Sequence, residues 1–147
     1  MRCSAYKRLY FLIFFYLSDI IQIDIKYREV LALSASTTLN SVSERIVSDV
    51  LSALSDKVYR IILYGSYARG DFDEESDIDI MVLLNCKEDE LGQYRTLINR
   101  IASRASLDHD IEVSLLIRDR ESFENRIRLL GFYRNIQNEG IIIYQKK

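Results

Sequence analysis

The chain contains no proline, one histidine and two cysteines among its 147 residues. Cys3 and Cys86 make neither a disulfide framework nor a zinc site, so a reducing, cytoplasmic setting is expected. His109 has no cysteine nearby, which argues against zinc and leaves it as a strand-edge residue. Cys86 has no obvious base beside it, which argues against a nucleophilic role. With no proline, the usual punctuation of loops is missing. An excess of basic charge is lacking too: 20 Lys and Arg against 22 Asp and Glu give a net charge of −2, so no overall positive field invites nucleic acid. Internal repeats and low-complexity linkers are absent.

Long apolar runs are also scarce. "LYFLIFFYL", residues 9 to 17, is too short to span a membrane. Arg2, Lys7 and Arg8 before it imitate a secretory signal, but Asp19, Asp24, Lys26 and Arg28 follow with no small-residue cleavage site. Residues 1–35 are therefore read as an N-terminal extension of unknown role, with no membrane expected. What is present suits one soluble domain, residues 36–147. Hydrophobic residues make up 48% and charged residues 29%, enough to build a core and an ordinary surface.

"SASTTLNS" (34 to 41) is the most loop-like stretch and the expected domain boundary. Beyond it Ser41 and Glu44 suggest a capping box, and Val42, Ile46, Val47, Val50, Leu51 and Leu54 recur at helical spacing. "VYRIILY" (58 to 64) reads as a buried strand stopped by Gly65, and residues 77 to 84 read as a second strand. A second amphipathic helix is expected over 89 to 106, with a third strand over 109 to 117. Residues 120 to 139 tend to helix, and Gly140 ends them before a last strand, "IIIY" (141 to 144). Helices alternating with short strands imply an α/β or α+β domain, a small mixed sheet covered by helices.

One stretch does not fit a bland core. In "LYGSYARGDFDEESDIDIMV" (63 to 82) a Gly65-Ser66 turn precedes Asp77-Ile78-Asp79 by ten residues, inside an apolar run. Alternation puts Asp77, Asp79 and Met81 on one strand face and Ile78, Ile80 and Val82 on the other. Carboxylates removed from water need a compensating partner or cation. Two of them about 7 Å apart along a strand can converge on a hard cation. The third strand offers Asp110 or Glu112 on one face, shared with Ser114. Three such acids could hold two Mg²⁺ ions about 3.5–4 Å apart for in-line phosphoryl or nucleotidyl transfer. Upstream, Gly65 lets the backbone approach a phosphate, Ser66 adds a hydroxyl and Arg69 a cation. The acidic loop of Asp71, Asp73, Glu74 and Glu75 reads as a solvated surface.

"GSYARGDFDEESDID" resembles the Gly-Ser-x10-Asp-x-Asp signature of the polymerase β-type nucleotidyltransferase superfamily, and most closely its minimal nucleotidyltransferase branch. The ending "FYRNIQNEGIIIY" is similar to that branch as well, and the resemblance covers about residues 40 to 147. It implies the nucleotidyltransferase fold, Gly65 and Ser66 in the nucleotide-phosphate loop, and Asp77 and Asp79 as metal ligands and catalytic residues. Glu112 or Asp110 would be the third carboxylate. Glu112 is favoured because it lies deeper in the apolar run, between Ile111 and Val113, whereas Asp110 sits at the expected strand's start.

The resemblance also implies Mg²⁺ as cofactor and ATP as substrate. Many minimal domains of this kind are similar to antitoxins that transfer AMP to a hydroxyl, expected here to be a tyrosine's, of a HEPN-type RNase toxin. A small-molecule transferase of the aminoglycoside-modifying type is the first alternative, and the helical domain of those larger relatives is not visible in the sequence. A non-catalytic, nucleotide-binding antitoxin is the second, and the intact Asp77 and Asp79 argue against it.

Overall fold

A computed structural model describes residues 36–73 and 75–146; the expectations for residues 1–35 lie outside these. The chain divides into two units at Thr38/Leu39, and the fold set out below is that of Leu39–Lys147. Among the described residues no helix is long and apolar enough to cross a membrane.

The elements in order are α1 (residues 36–54), β1 (Val58–Tyr64), α2 (Gly65–Arg69), β2 (Ile78–Leu84), α3 (Gly92–His109), β3 (Val113–Asp119), α4 (Arg120–Ile127), α5 (Gly131–Glu139) and β4 (Ile141–Gln145). A short 3₁₀ turn, Glu88–Leu91, leads into α3. The four strands form one mixed sheet in the order β3-β2-β1-β4. β1 runs antiparallel to both β2 and β4, while β2 and β3 are parallel and joined across α3. This is the helix-covered mixed sheet that the strand and helix spacing predicts.

Alternation divides the sheet into two buried faces. Ile61 and Leu63 of β1, Ile78, Ile80, Val82 and Leu84 of β2, and Val113 and Ile117 of β3 pack under Val42, Ile46 and Val50 of α1 and Ile98 and Ile101 of α3. Ile62, Met81 and Leu83 face the other way, under Phe123 of α4 and Tyr133 and Ile136 of α5. Both faces of β2 are therefore covered along most of its length. This accounts for a continuous apolar run after Asp79.

Four boundaries differ from the sequence expectation. Residues 36–41 are helical, and Ser41 lies inside α1 and not at its cap. The buried stripe of Val42, Ile46 and Val50 outweighs the weak helix preference of the Ser/Thr run. Asp77 precedes β2 by one residue. His109 ends α3 and Asp110 caps it in the left-handed region, at φ 52°, so β3 begins only at Val113. Asp110 and Glu112 thus do not share a strand face, and Glu112 is exposed, not buried in an apolar run. The segment expected to be one helix over 120 to 139 is two, broken where Leu129 and Leu130 both donate to the Arg126 carbonyl.

Candidate active site

The reason for a carboxylate on a buried strand lies in where the covering helices stop. Asp79 shares its face with Met81 and Leu83, but it lies at the open end of β2, flanked in register by Tyr64 of β1 and Ser114 of β3. Burial holds the Asp79 carboxyl above the usual carboxylate range, the nearby Asp77 charge adds to this, and a hydrogen bond with Ser114 partly offsets it. The Tyr64 phenol is pushed up to about 12 by burial and by Asp79, so it stays protonated at neutral pH. Tyr64 is thus a neutral hydroxyl beside an acid that resists ionisation.

Gly65 follows immediately. Its φ of 77° lies in the left-handed region, and a Cβ there would stand 2.6 Å from Asp79 Oδ2. Only glycine lets the turn after β1 pass this close to the carboxylate. The turn opens α2, whose N-cap, Tyr64, offers its first amides no side-chain acceptor. In a helix of five residues the dipole is slight, so the amides themselves are what an anion would meet.

These groups border a cavity of about 240 Å³ lined by Tyr64, Gly65, Arg69 and Asp79 together with Phe132, Asn135, Ile136 and Glu139 of α5 and Gly140. That is smaller than the roughly 300 Å³ or more of most small-molecule sites. Arg69 is tied to Asp71 at 3.1 Å and feels the charge of Glu139.

The structure brings Gly65, Arg69 and Asp79 together around this cavity. Asp77 is exposed just outside β2 and acts electrostatically on both Asp79 and Tyr67. The Glu112 carbonyl accepts the Ile78 N–H at 2.9 Å, which sets residue 112 alongside the start of β2. Ser66, Asp77, Asp110 and Glu112 do not line the cavity. Sequence reasoning assigned no site role to Tyr64, Ser114, Phe132, Asn135 or Glu139. The i, i+3, i+7 spacing in "FYRNIQNE" could have revealed the last three.

Among the described residues no three His, Cys, Asp or Glu side chains converge to hold a cation unaided. Magnesium seldom needs such a cage: one or two carboxylates, water and substrate phosphates suffice. Hard oxygen donors at Asp77 and Asp79, the latter held back from ionising by burial and then by the Asp77 charge, fit such an ion.

Residues 44–143 match the family model described as "Nucleotidyltransferase domain". The chain belongs to the nucleotidyltransferase-domain family. This nucleotidyltransferase is 41% identical to the Methanocaldococcus jannaschii "Putative protein adenylyltransferase MJ0141" over 93 residues, which cover 63% of this chain and 86% of that protein. It is 30% identical over 105 residues to "Putative protein adenylyltransferase MJ0604" of the same organism, covering 69% and 97%. The crystal structure of a "putative nucleotidyltransferase" from Sulfolobus solfataricus superimposes with a TM-score of 0.57 at 19% identity, over 78% of this chain and 87% of that one, a likeness of fold.

Proposed function

We propose that residues 36–147 form a Mg²⁺-dependent protein adenylyltransferase domain that takes AMP from ATP and attaches it to a hydroxyl of a partner protein. The observation that carries the reading is the approach of the Gly65 backbone to the Asp79 carboxylate at the cavity wall. It supports a reading in which the turn accepts a phosphate beside a cation ligand. A protein acceptor is supported by the likeness to two relatives named as protein adenylyltransferases. The further step, a tyrosine of a HEPN-type RNase toxin as acceptor in the cytoplasm, rests on the resemblance of "GSYARG…SDIDI" to minimal nucleotidyltransferases.

In this reading the acceptor oxygen bonds to the α-phosphorus in line as the bond to the bridging oxygen breaks and pyrophosphate leaves. Bound Mg²⁺ would neutralise phosphate charge and activate the acceptor hydroxyl. Asp77 and Asp79 would hold it, with Glu112 as third carboxylate and acceptor of the hydroxyl proton. Asp110, which caps α3, is the weaker candidate for that role. Gly65 and Ser66 would receive the phosphates at the start of α2, with Arg69 alongside.

Co-expression with a helical HEPN-type partner tests this by intact-mass spectrometry. An AMP-sized gain on the partner, absent with Asp79→Asn, is the expected result. No gain on any partner hydroxyl would sink the protein-acceptor reading.

A further inference from the structure

The part of the cavity lining that α5 contributes has no role in the chemistry above. It consists of one side of α5: Phe132, Asn135 and Glu139 line the cavity, whereas Tyr133 is buried against the sheet. We propose that these three side chains recognise the nucleoside of the donor, with Phe132 as stacking platform for the base, Asn135 as its reader and Glu139 as acceptor for the ribose hydroxyls. This rests on the nucleotidyl-transfer reading and deepens it.

Phe132 is 47% exposed and lines the cavity beside Tyr64. Its ring is nonetheless held, edge to face with Tyr64 at 5.7 Å and with Tyr133 at 5.3 Å. A fixed, half-open aromatic surface suits a flat ligand, because little side-chain freedom remains to be lost on stacking. Every nucleobase has such a π face. Asn135 lies one helical turn further along the same side. Its amide offers one donor and one acceptor, the pair that matches adenine at N7 and N6.

Glu139 completes the order. Without a bridging cation a carboxylate repels polyphosphate, so Glu139 suits a donor group, and the vicinal ribose hydroxyls are such donors. Arg69, which feels the charge of Glu139, belongs to the α2 part of the lining beside Gly65. Charge thus orients the ligand, with phosphates towards Gly65, Arg69 and Asp79, and sugar and base along α5.

The test is calorimetric titration of the full chain with ATP, GTP and inorganic tripolyphosphate, each with Mg²⁺. Phe132→Ala should weaken ATP and GTP by at least about fivefold, one lost stack, and leave tripolyphosphate unchanged. Phe132→Trp should keep nucleotide affinity. Asn135→Ala should weaken ATP about tenfold, leave GTP unchanged and so erase the preference of the parent chain. Glu139→Gln should tighten tripolyphosphate binding and weaken ATP relative to it. Unaltered ATP affinity in Phe132→Ala, or an equal loss for tripolyphosphate, would overturn the proposal. A parent chain that binds neither ATP nor tripolyphosphate would overturn the transferase reading itself, whereas intact parent binding with indifferent variants overturns the α5 wall alone.

Discussion

Asp79 has to ionise where the fold resists it. Its carboxyl titrates above the ordinary range because burial and Asp77 penalise the charge. The unfolded chain therefore releases this proton at lower pH than the folded one. At acid pH, with both states protonated, the penalty is absent; it develops as pH rises through the ordinary value to the raised one, and persists above. Asp79→Asn should accordingly be more stable than the parent at neutral pH in EDTA, with the difference vanishing at acid pH. Thermal unfolding at both pH values measures it, and equal stability at neutral pH would contradict the cause given. Added Mg²⁺ and ATP should raise the melting temperature of the parent and not of Asp79→Asn.

Gly65 and Gly70 separate backbone strain from crowding at the same scale. Both have left-handed φ, 77° and 78°, but a Cβ meets Asp79 Oδ2 at 2.6 Å at Gly65 and nothing within 4 Å at Gly70. Each Gly→Ala change should cost stability of about 1 kcal/mol. Only Gly65→Ala should also reduce transfer, by about a hundredfold, because the Asp79 carboxylate must move. Equal kinetics for the two variants would mean that the close approach has no part in catalysis.

At the scale of elements, α5 ends at Glu139 before Gly140 as its sequence predicts, and it contributes four residues to the cavity lining. It is pinned by Tyr133, whose hydroxyl accepts from Arg118 Nε of β3 at 2.9 Å and from Arg126 of α4 at 3.4 Å. Burial alone would raise the Tyr133 phenol, but these hydrogen bonds lower it overall. Tyr133→Phe should cost about 1.5–3 kcal/mol in denaturant unfolding, the range for hydrogen bonds to charged groups. Gly140 is fixed by space, since a Cβ would lie 2.4 Å from the Ile136 carbonyl oxygen and 2.6 Å from Ile62 Cγ2. Gly140→Ala should destabilise by about 1–3 kcal/mol through overpacking.

The strands over 58–64 and 78–84 were readable because two covered faces make each a mostly apolar run, and Asp79 stood out as the exception. The third strand was misread by four residues. The alternation of "HDIEVSLLI" extends without a break into a helix end, and nothing local in "HDI" reveals that Asp110 adopts the left-handed cap. Contacts such as Gly65 with Asp79 join residues whose meeting depends on the antiparallel register, which periodicity does not specify.

For the whole molecule, the account comes down to which bond of ATP is broken at the Gly65–Asp79 cavity. The most direct measurement incubates the chain and a candidate HEPN-type partner with Mg²⁺ and ATP labelled either in the α- or in the γ-phosphate, beside the Asp79→Asn variant. The account predicts protein-bound label from the α-phosphate alone, with pyrophosphate released in equal amount and both lost in the variant. Label retained from the γ-phosphate, or α-label incorporated equally by Asp79→Asn, would contradict it.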